Sequence, residues 1–284
     1  MDAYQERLFE IFEEFRQEAR YPTYPPYHEG LYLEEYFCKK IQEDKPKLTR
    51  YFIPIHWTNC YNDGYSRPKL KYLLSRLNPQ HLYFVVMTHD DAPRERLPPQ
   101  TISLSGGGLA GQVPIPLIGS GFKEIEKRER DIFCSFVGSN THPLRVEVAK
   151  SVGEKEGFYY RMKGWEKSIS QEDEIHFKEM MERSIFSLCP RGYGPTSFRM
   201  YEAIQAGSIP VYVYDKLWIP YEQSIDWEEF AVLIPPEKVP DIEQILRSIS
   251  PEQQEFMRNK CLELYEEWFT IPGVYNRIIG KLSA

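Results

Sequence analysis

The sequence predicts an α/β protein made of two Rossmann-like halves. Three observations predict it. Short continuous apolar runs, among them Leu82-Tyr-Phe-Val-Val-Met87 and Ile209-Pro-Val-Tyr-Val-Tyr214, read as strands buried on both faces, the habit of parallel sheets. Between them lie stretches whose apolar residues recur at helical spacing. The alternation runs twice, and a Gly- and Pro-rich segment, 106–121, followed by the charged run 123–131, separates the two series.

The elements follow in order. Tyr4, Leu8, Phe9, Ile11, Phe12 and Phe15 share one helical face, which predicts an amphipathic helix over 4–18. The Pro- and Tyr-rich stretch 21–27 is a loop, and 30–41 a helix. Residues 51–57 form a short strand with a polar, aromatic end. Residues 69–77 are a helix, 82–87 a strand that ends at Thr88-His-Asp-Asp91, and 101–105 a further strand. In the second series, strands at 131–137, 157–162, 185–189, 209–214 and 231–234 alternate with helices at 143–152, 172–183 and 197–206. Helices over 239–249 and 251–269 close the chain. The composition shift gives a first domain over 1–128 and a second over 129–250, with closing helices in 251–284 that pack back towards the first.

A chain of 284 residues with 42% hydrophobic content buries a sizeable core. Its net charge of −7 argues against a nucleic-acid partner, since a long phosphate backbone selects a basic surface. One local basic pocket for a small phosphate-bearing ligand is compatible with that charge. Cys38, Cys60, Cys134, Cys189 and Cys261 are odd in number and lack metal or redox spacing, which predicts free buried thiols. The acidic start at 1–10 has no apolar signal core, no run reaches the ~18–20 apolar residues of a membrane span, and no Asn-x-Ser/Thr acceptor occurs. These absences predict a soluble, cytoplasmic protein.

Residues 187–215 are the most informative. A buried strand stops at Pro190, and Gly192 and Gly194 make the next turn permissive. Thr196 or Ser197 caps a helix, Gly207 ends it in the left-handed position, and Pro210 opens the following strand. Such a strand–loop–helix unit points free amides and a positive dipole end at its loop, where a diphosphate fits. Arg191 and Arg199 add charge-assisted bonds, and Glu202, a turn into the helix, suits the hydroxyls of a ribose. The same residues admit a plainer reading. Arg199 and Glu202, three apart, make a surface ion pair worth ~0.2–0.5 kcal/mol, and the glycines serve turn geometry alone. A dinucleotide redox cofactor fits less well, because Gly192-x-Gly194 lacks the third glycine of that fingerprint.

The run from Leu188 to Val211 closely resembles the signature of exostosin-like glycosyltransferases, family 47. The likeness continues through Trp218-Ile-Pro-Tyr221 and Ile225-Asp-Trp-Glu-Glu-Phe-Ala-Val232, and Tyr51-Phe-Ile-Pro-Ile55, Thr88-His-Asp-Asp91 and Phe136-Val-Gly-Ser139 fit the family's order of motifs. The resemblance implies a GT-B fold, two Rossmann-like domains facing across a cleft, with inverting transfer from a UDP-sugar held by the C-terminal domain to a glycan or glycoprotein acceptor on the N-terminal one. It implies no cofactor besides that co-substrate, and the family's range leans towards UDP-xylose. Carried onto this chain, Arg191, Thr196 and Ser197 contact the diphosphate from the turn that includes Gly192, Tyr193 and Gly194, with Arg199 beside it. Glu202 takes the ribose, and Gly138, Ser139 and Arg145 form the opposite lip. The chain departs from animal and plant members in having no anchor or stem, which fits a microbial or viral glycosylation system.

No Asp-x-Asp pair is present, so arginines and helix amides must meet the diphosphate charge and no metal is expected. Gly106-Gly-Gly108-Leu-Ala-Gly111 spells a G-x-G-x-x-G but runs into Val113-Pro-Ile-Pro116, which opens no helix, and reads as a flexible loop near the acceptor. Inverting transfer needs a base for the acceptor hydroxyl. Asp63, Asp90 and Asp91 are the candidates, with His28 and Glu29 on the acceptor side; loop capping is the alternative fate of each. Trp57 and Tyr61, with Tyr65 and Tyr24 nearby, offer a sugar-stacking platform or core packing. Two other activities stay open at this level: a nucleotide-sugar epimerase of the same fold, and a non-catalytic sugar- or nucleotide-binding module.

Overall fold

A computed structural model describes residues 1–18, 31–119, 121–166 and 169–283. They divide into two compact units: Met1–Ser120 with Thr270–Ala284, and Gly121–Phe269. His28, Glu29 and Tyr24 lie outside the described residues.

The first unit begins with α1 (Ala3–Ile11), whose first turn is capped by Asp2 accepting from the Gln5 amide at 2.9 Å. It continues through α2 (Leu33–Asp44), β1 (Tyr51–Phe52), α3 (Trp57–Asp63), α4 (Arg67–Ser75), β2 (Tyr83–Met87), β3 (Ile102–Ser105) and β4 (Val113–Pro114). The four strands pair in parallel in the order β1-β2-β3-β4. Leu8, Phe12 and Phe15 pack with Ile53, Ile55, Trp57, Leu70, Leu74, Val85 and Met87 in one cluster. Burying each such side chain contributes about 1.5–3 kcal/mol, so the N-terminal segment is a core element.

Three expectations change here. The helical face over 4–18 is carried by α1 and a separate 3₁₀ turn, Glu13–Phe15. Residues 57–63 are helical, where the sequence suggested only a loop around Asp63. The 106–111 stretch is a loop that packs closely on its neighbours: a Cβ on Gly107 would sit 2.4 Å from Asp90 Cα, and one on Gly111 would sit 2.1 Å from Ser105 Cβ. At Gly107 backbone presses on backbone, and at Gly111 the Ser105 side chain fills the space a Cβ would take; Val113–Pro114 then joins the sheet as β4.

The second unit contains β5 (Ile132–Ser139), α5 (Pro143–Val152), β6 (Phe158–Lys163), α6 (Gln171–Arg183), β7 (Ser184–Pro190), α7 (Phe198–Gln205), β8 (Ile209–Val213), β9 (Val232–Ile234), α8 (Ile242–Arg247) and α9 (Pro251–Trp268). All five strands are parallel, in the order β6-β5-β7-β8-β9. Cys134, Phe136, Val148, Phe186, Leu188, Val211 and Val213 form the core between sheet and helices. The charged run 123–131 belongs to this unit because buried Glu182 pins it, accepting from the Glu126 amide at 2.6 Å and Arg128 Nε at 3.0 Å. Residues 251–284 also separate. Helix α9 packs on α7 and β8, whereas α10 (Ile271–Leu282) packs on α2 of the first unit, where Tyr275 donates to Asp44 at 2.9 Å. All five cysteines are buried and free. Among the described residues no helix is long and apolar enough to cross a membrane.

Candidate functional site

In the second unit the chain lays down β6 on one side of β5 and then β7, β8 and β9 on the other. The connections after β5 and β7 therefore diverge, and their strand ends bound the crevice where open α/β sheets take ligands. Arg145, from the first turn of α5, ties these two loops together. Its guanidinium donates to the carbonyls of Ser139 at 2.7 Å, Arg191 at 3.0 Å and Pro190 at 3.2 Å. Arg199, from the start of α7, donates to the Val137 carbonyl and lies over the ring of Phe136 at 4.3 Å. Gly138 permits that approach, since a Cβ there would fall 2.4 Å from Arg199 Nη2.

Arg145, Arg191 and Arg199 are only 6%, 8% and 8% exposed. Arg191 finds a carboxylate, Asp215, at 2.5 Å, and also donates to the carbonyls of Tyr193 at 2.7 Å and Gly192 at 3.3 Å. For Arg145 and Arg199 no carboxylate lies within 4.0 Å among the described residues. Burial pushes the Arg145 guanidinium down to about 9, and the nearby Arg199 charge adds to that; Arg199 is lowered by burial too. Buried charge without a counter-charge in direct contact is costly, and Glu202 acts on Arg199 only from beyond that distance.

The turn beyond β7 supplies what an anion needs. The Gly192 amide donates to the Thr196 carbonyl at 3.0 Å, which closes the turn around buried Gly194. Ser197 is the N-cap residue of α7, yet no side chain caps that helix. The hydroxyls of Thr196 and Thr141 are buried and have no partner among the described residues, and Thr141 Oγ1 would be 3.7 Å from a Cβ on Gly192. Tyr193 is exposed. Glu202 still meets solvent but is crowded by protein, and burial pushes its carboxyl up to about 7 against the pull of Arg199. His142 caps α5 through Nδ1, 3.3 Å from the Leu144 amide, and its Nε2 stands 3.9 Å from Asp215.

The residues that the sequence singled out from Gly138 to Glu202 lie at the ends of β5 and β7 and along α5 and α7, and two of them make contacts the sequence did not suggest. Arg191 braces its own turn, and Arg145 holds both lips together. Thr141, His142 and Asp215 were passed over; their signal was their place in the connections that follow predicted strands.

The acceptor-side residues fare differently. Trp57 is fully buried in the first unit's core, so its ring offers no face to a sugar. Tyr61 is stacked by Tyr65 at 5.4 Å, overlain by Arg94 at 4.9 Å and tied to Glu95 at 2.8 Å. Both are corrected to packing roles. Asp63 ends α3, while Asp90 and Asp91 follow β2, with Asp91 ion-paired to Arg94. Sequence reasoning passed over Glu34 and Glu35, two buried carboxylates in the first turn of α2.

Residues 112–249 match the Exostosin GT47 domain. The chain is 37% identical over 138 residues to "Probable beta-1,4-xylosyltransferase IRX10L" of Arabidopsis thaliana, covering 45% of this chain and 31% of that protein. It is 38% identical over 108 residues to "Probable glucuronosyltransferase GUT1" of Oryza sativa subsp. japonica, covering 34% of this chain and 26% of that one. The match thus spans about a third or less of these relatives' length. Among solved structures, the pneumococcal O-GlcNAc transferase GtfA in complex with UDP and GlcNAc is similar over 70% of this chain and 44% of that one, at 12% identity and a TM-score of 0.41. The crevice residues from Gly138 to Glu202 thus all lie within the segment, 112–249, that matches the exostosin GT47 domain, and over that segment the chain is similar to the exostosin-like family.

Proposed function

We propose that the chain is a glycosyltransferase that moves a sugar from a UDP-sugar to a glycan hydroxyl. The observation that carries this reading is the pair of buried guanidiniums without carboxylates, Arg145 and Arg199, at the ends of β5 and β7 beside an uncapped helix. A diphosphate supplies the missing charge, the α7 amides and the Thr141 and Thr196 hydroxyls supply its bonds, and Glu202 accepts from the ribose. The guanidiniums do the work a divalent ion does elsewhere, so transfer proceeds without metal. Their charge stabilises the departing diphosphate, preorganised where charge develops. The relatives' names favour UDP-xylose or UDP-glucuronate as donor.

Transfer is a single displacement with inversion. The acceptor oxygen bonds to the sugar's anomeric carbon, the bond to UDP breaks, and the hydroxyl proton passes to a carboxylate. Asp90 is the first candidate for that carboxylate because it lies in the turn that follows β2; Asp91 is committed to Arg94, and Asp63 closes α3.

Isothermal titration of the purified chain with UDP, UMP and uridine tests the donor site. UDP is expected to bind at least about 100-fold more tightly than uridine, as two charge-assisted contacts imply, and with EDTA present. Equal affinities for UDP and uridine would sink the reading. Isomerised sugar from donor alone, without UDP release, would point to an epimerase.

A further inference from the structure

The first unit carries a polar cluster at the ends of β1 and β2 that the donor site does not use. His56 is the N-cap residue of α3, and its Nδ1 lies 2.8 Å from the Gln17 carbonyl. A carbonyl only accepts, so Nδ1 carries the proton and the ring's lone pair sits on Nε2. Asn59 donates Nδ2 to the same carbonyl at 2.8 Å and to Glu35 Oε1 at 2.7 Å. The other oxygen of Glu35 accepts from the Tyr32 amide at 2.5 Å. Alongside, buried Glu34 accepts from the amide and hydroxyl of Thr88 and from the Thr58 hydroxyl, each at 2.8 Å.

Within this network His56 Nε2 and Asn59 Oδ1 are buried and, among the described residues, meet no donor. Asn59 is 2% exposed. Two orphaned acceptors beside two buried carboxylates leave the cluster short of O–H or N–H donors, and an acceptor left dry is costly. The described residues hold no group of three or more His, Cys, Asp or Glu arranged for a metal ion. What completes the set is a neutral ligand rich in hydroxyls. His56 and Thr58 are part-exposed, so solvent reaches the rim of the cluster.

We propose that the head of α3 is a binding site for a neutral carbohydrate, with His56 Nε2 and Asn59 Oδ1 each accepting from a sugar hydroxyl and Glu35 positioning Asn59. The ligand class rests on the glycosyltransferase reading, in which this sugar is the acceptor. Burial keeps His56 down to about 4, so the ring stays neutral and accepting over the working range. Burial likewise pushes the Glu35 carboxyl up to about 7, against the bonds from Tyr32 and Asn59.

The test uses the full chain, an array of neutral glycans, titration with xylobiose, and UDP titration of the same preparations. The wild type is expected to bind at least one neutral glycan. His56→Phe keeps a ring and removes the acceptor, and should weaken that binding at least tenfold. His56→Gln, which restores an acceptor near the Nε2 position, should recover it to within about threefold, and UDP affinity should move less than twofold in both. If the Phe variant fails to fold by circular dichroism, the Gln variant carries the test: glycan binding lost in a folded Gln variant would overturn the proposal. So would wild-type binding to amino sugars alone, unchanged binding by a folded Phe variant, or UDP binding without any glycan binding. A wild type that binds neither UDP nor glycan would sink the donor reading as well.

Discussion

The two parallel sheets of this chain present the same geometry and opposite chemistry. In the second unit the strand order reverses between β5 and β7, and Arg145, Arg191 and Arg199 gather beyond those strands against one ion-paired carboxylate among the described residues. In the first unit the order β1-β2-β3-β4 runs one way, and buried Glu34 and Glu35 of α2 lie beside the residues that follow β1 and β2, with acceptors left over. Parallel strands fix where a ligand goes; the surplus of donors or acceptors fixes which ligand. On the proposed readings, an excess of buried cation selects a diphosphate, and an excess of acceptors selects hydroxyls.

The comparison breaks most visibly at Arg145, which both holds the crevice together and charges it. Arg145→Ala leaves the carbonyls of Ser139, Pro190 and Arg191 buried without that donor. At about 1–3 kcal/mol per orphaned group, the expected loss is at least about 3 kcal/mol, together with loss of measurable UDP binding. Urea denaturation followed by tryptophan fluorescence measures it. A variant as stable as the wild type would show the brace to be dispensable.

Arg199 separates charge from architecture. Arg199→Met keeps the apolar stem against Phe136 but removes a buried cation. A charge-assisted bond to phosphate contributes about 1.5–3 kcal/mol, so UDP affinity should fall about 10- to 150-fold while glycan binding by the first unit is unchanged. Titration of both ligands on one preparation decides it. A parallel fall in both would mean that the two sites are not independent.

This contrast also explains what the sequence revealed. The proximity of Arg191, Gly192, Thr196, Ser197, Arg199 and Glu202 was legible because they lie within one strand–turn–helix unit, where local chemistry and neighbourhood coincide. Both parallel sheets were legible from their apolar runs. The first unit's cluster was not, because Glu34, Glu35, His56, Asn59 and Thr88 meet only through tertiary contacts spanning 24–54 residues of chain. Helix α3 is too short to show a period, so 57–63 read as a loop and Trp57 and Tyr61 as a platform. Burial of Trp57 is a property of the packed fold that composition alone does not separate from exposure. The charged run 123–131 misled for a similar reason: a buried carboxylate at Glu182, far along the chain, holds it down.

Glu202 sharpens the comparison through pH. Its folded pKa is raised to about 7, so its contribution to stability of the free protein is present below the ordinary carboxylate range and is lost as pH rises through about 7. Ribose hydroxyls donate to the ionised form and pull that pKa back down. UDP binding near pH 7 should therefore release a fraction of a proton, and affinity should weaken as pH falls below about 7, by up to about tenfold per unit. Titrations in buffers of different ionisation enthalpy read the proton. UDP has a titrating phosphate of its own, so the reference is Glu202→Gln, which should lose the excess slope. Superimposable pH profiles for the two proteins would remove Glu202 from the ribose site.

The smallest expected effect lies at Asp215, among the described residues the one carboxylate ion-paired with the crevice's arginines. It holds Arg191 at 2.5 Å yet is about 40% exposed, and pairs of that kind contribute about 0–1 kcal/mol. A diphosphate entering the crevice must share Arg191 with it, so the carboxylate charge opposes binding. Asp215→Asn keeps an oxygen for the guanidinium and removes that charge. UDP should then bind about two- to fivefold more tightly, with the gain shrinking as salt rises and screens the charge. If UDP instead binds more weakly, Asp215 orients Arg191 rather than competing with the ligand, and the surplus of cation that sets this unit apart from the first depends on a carboxylate to aim it.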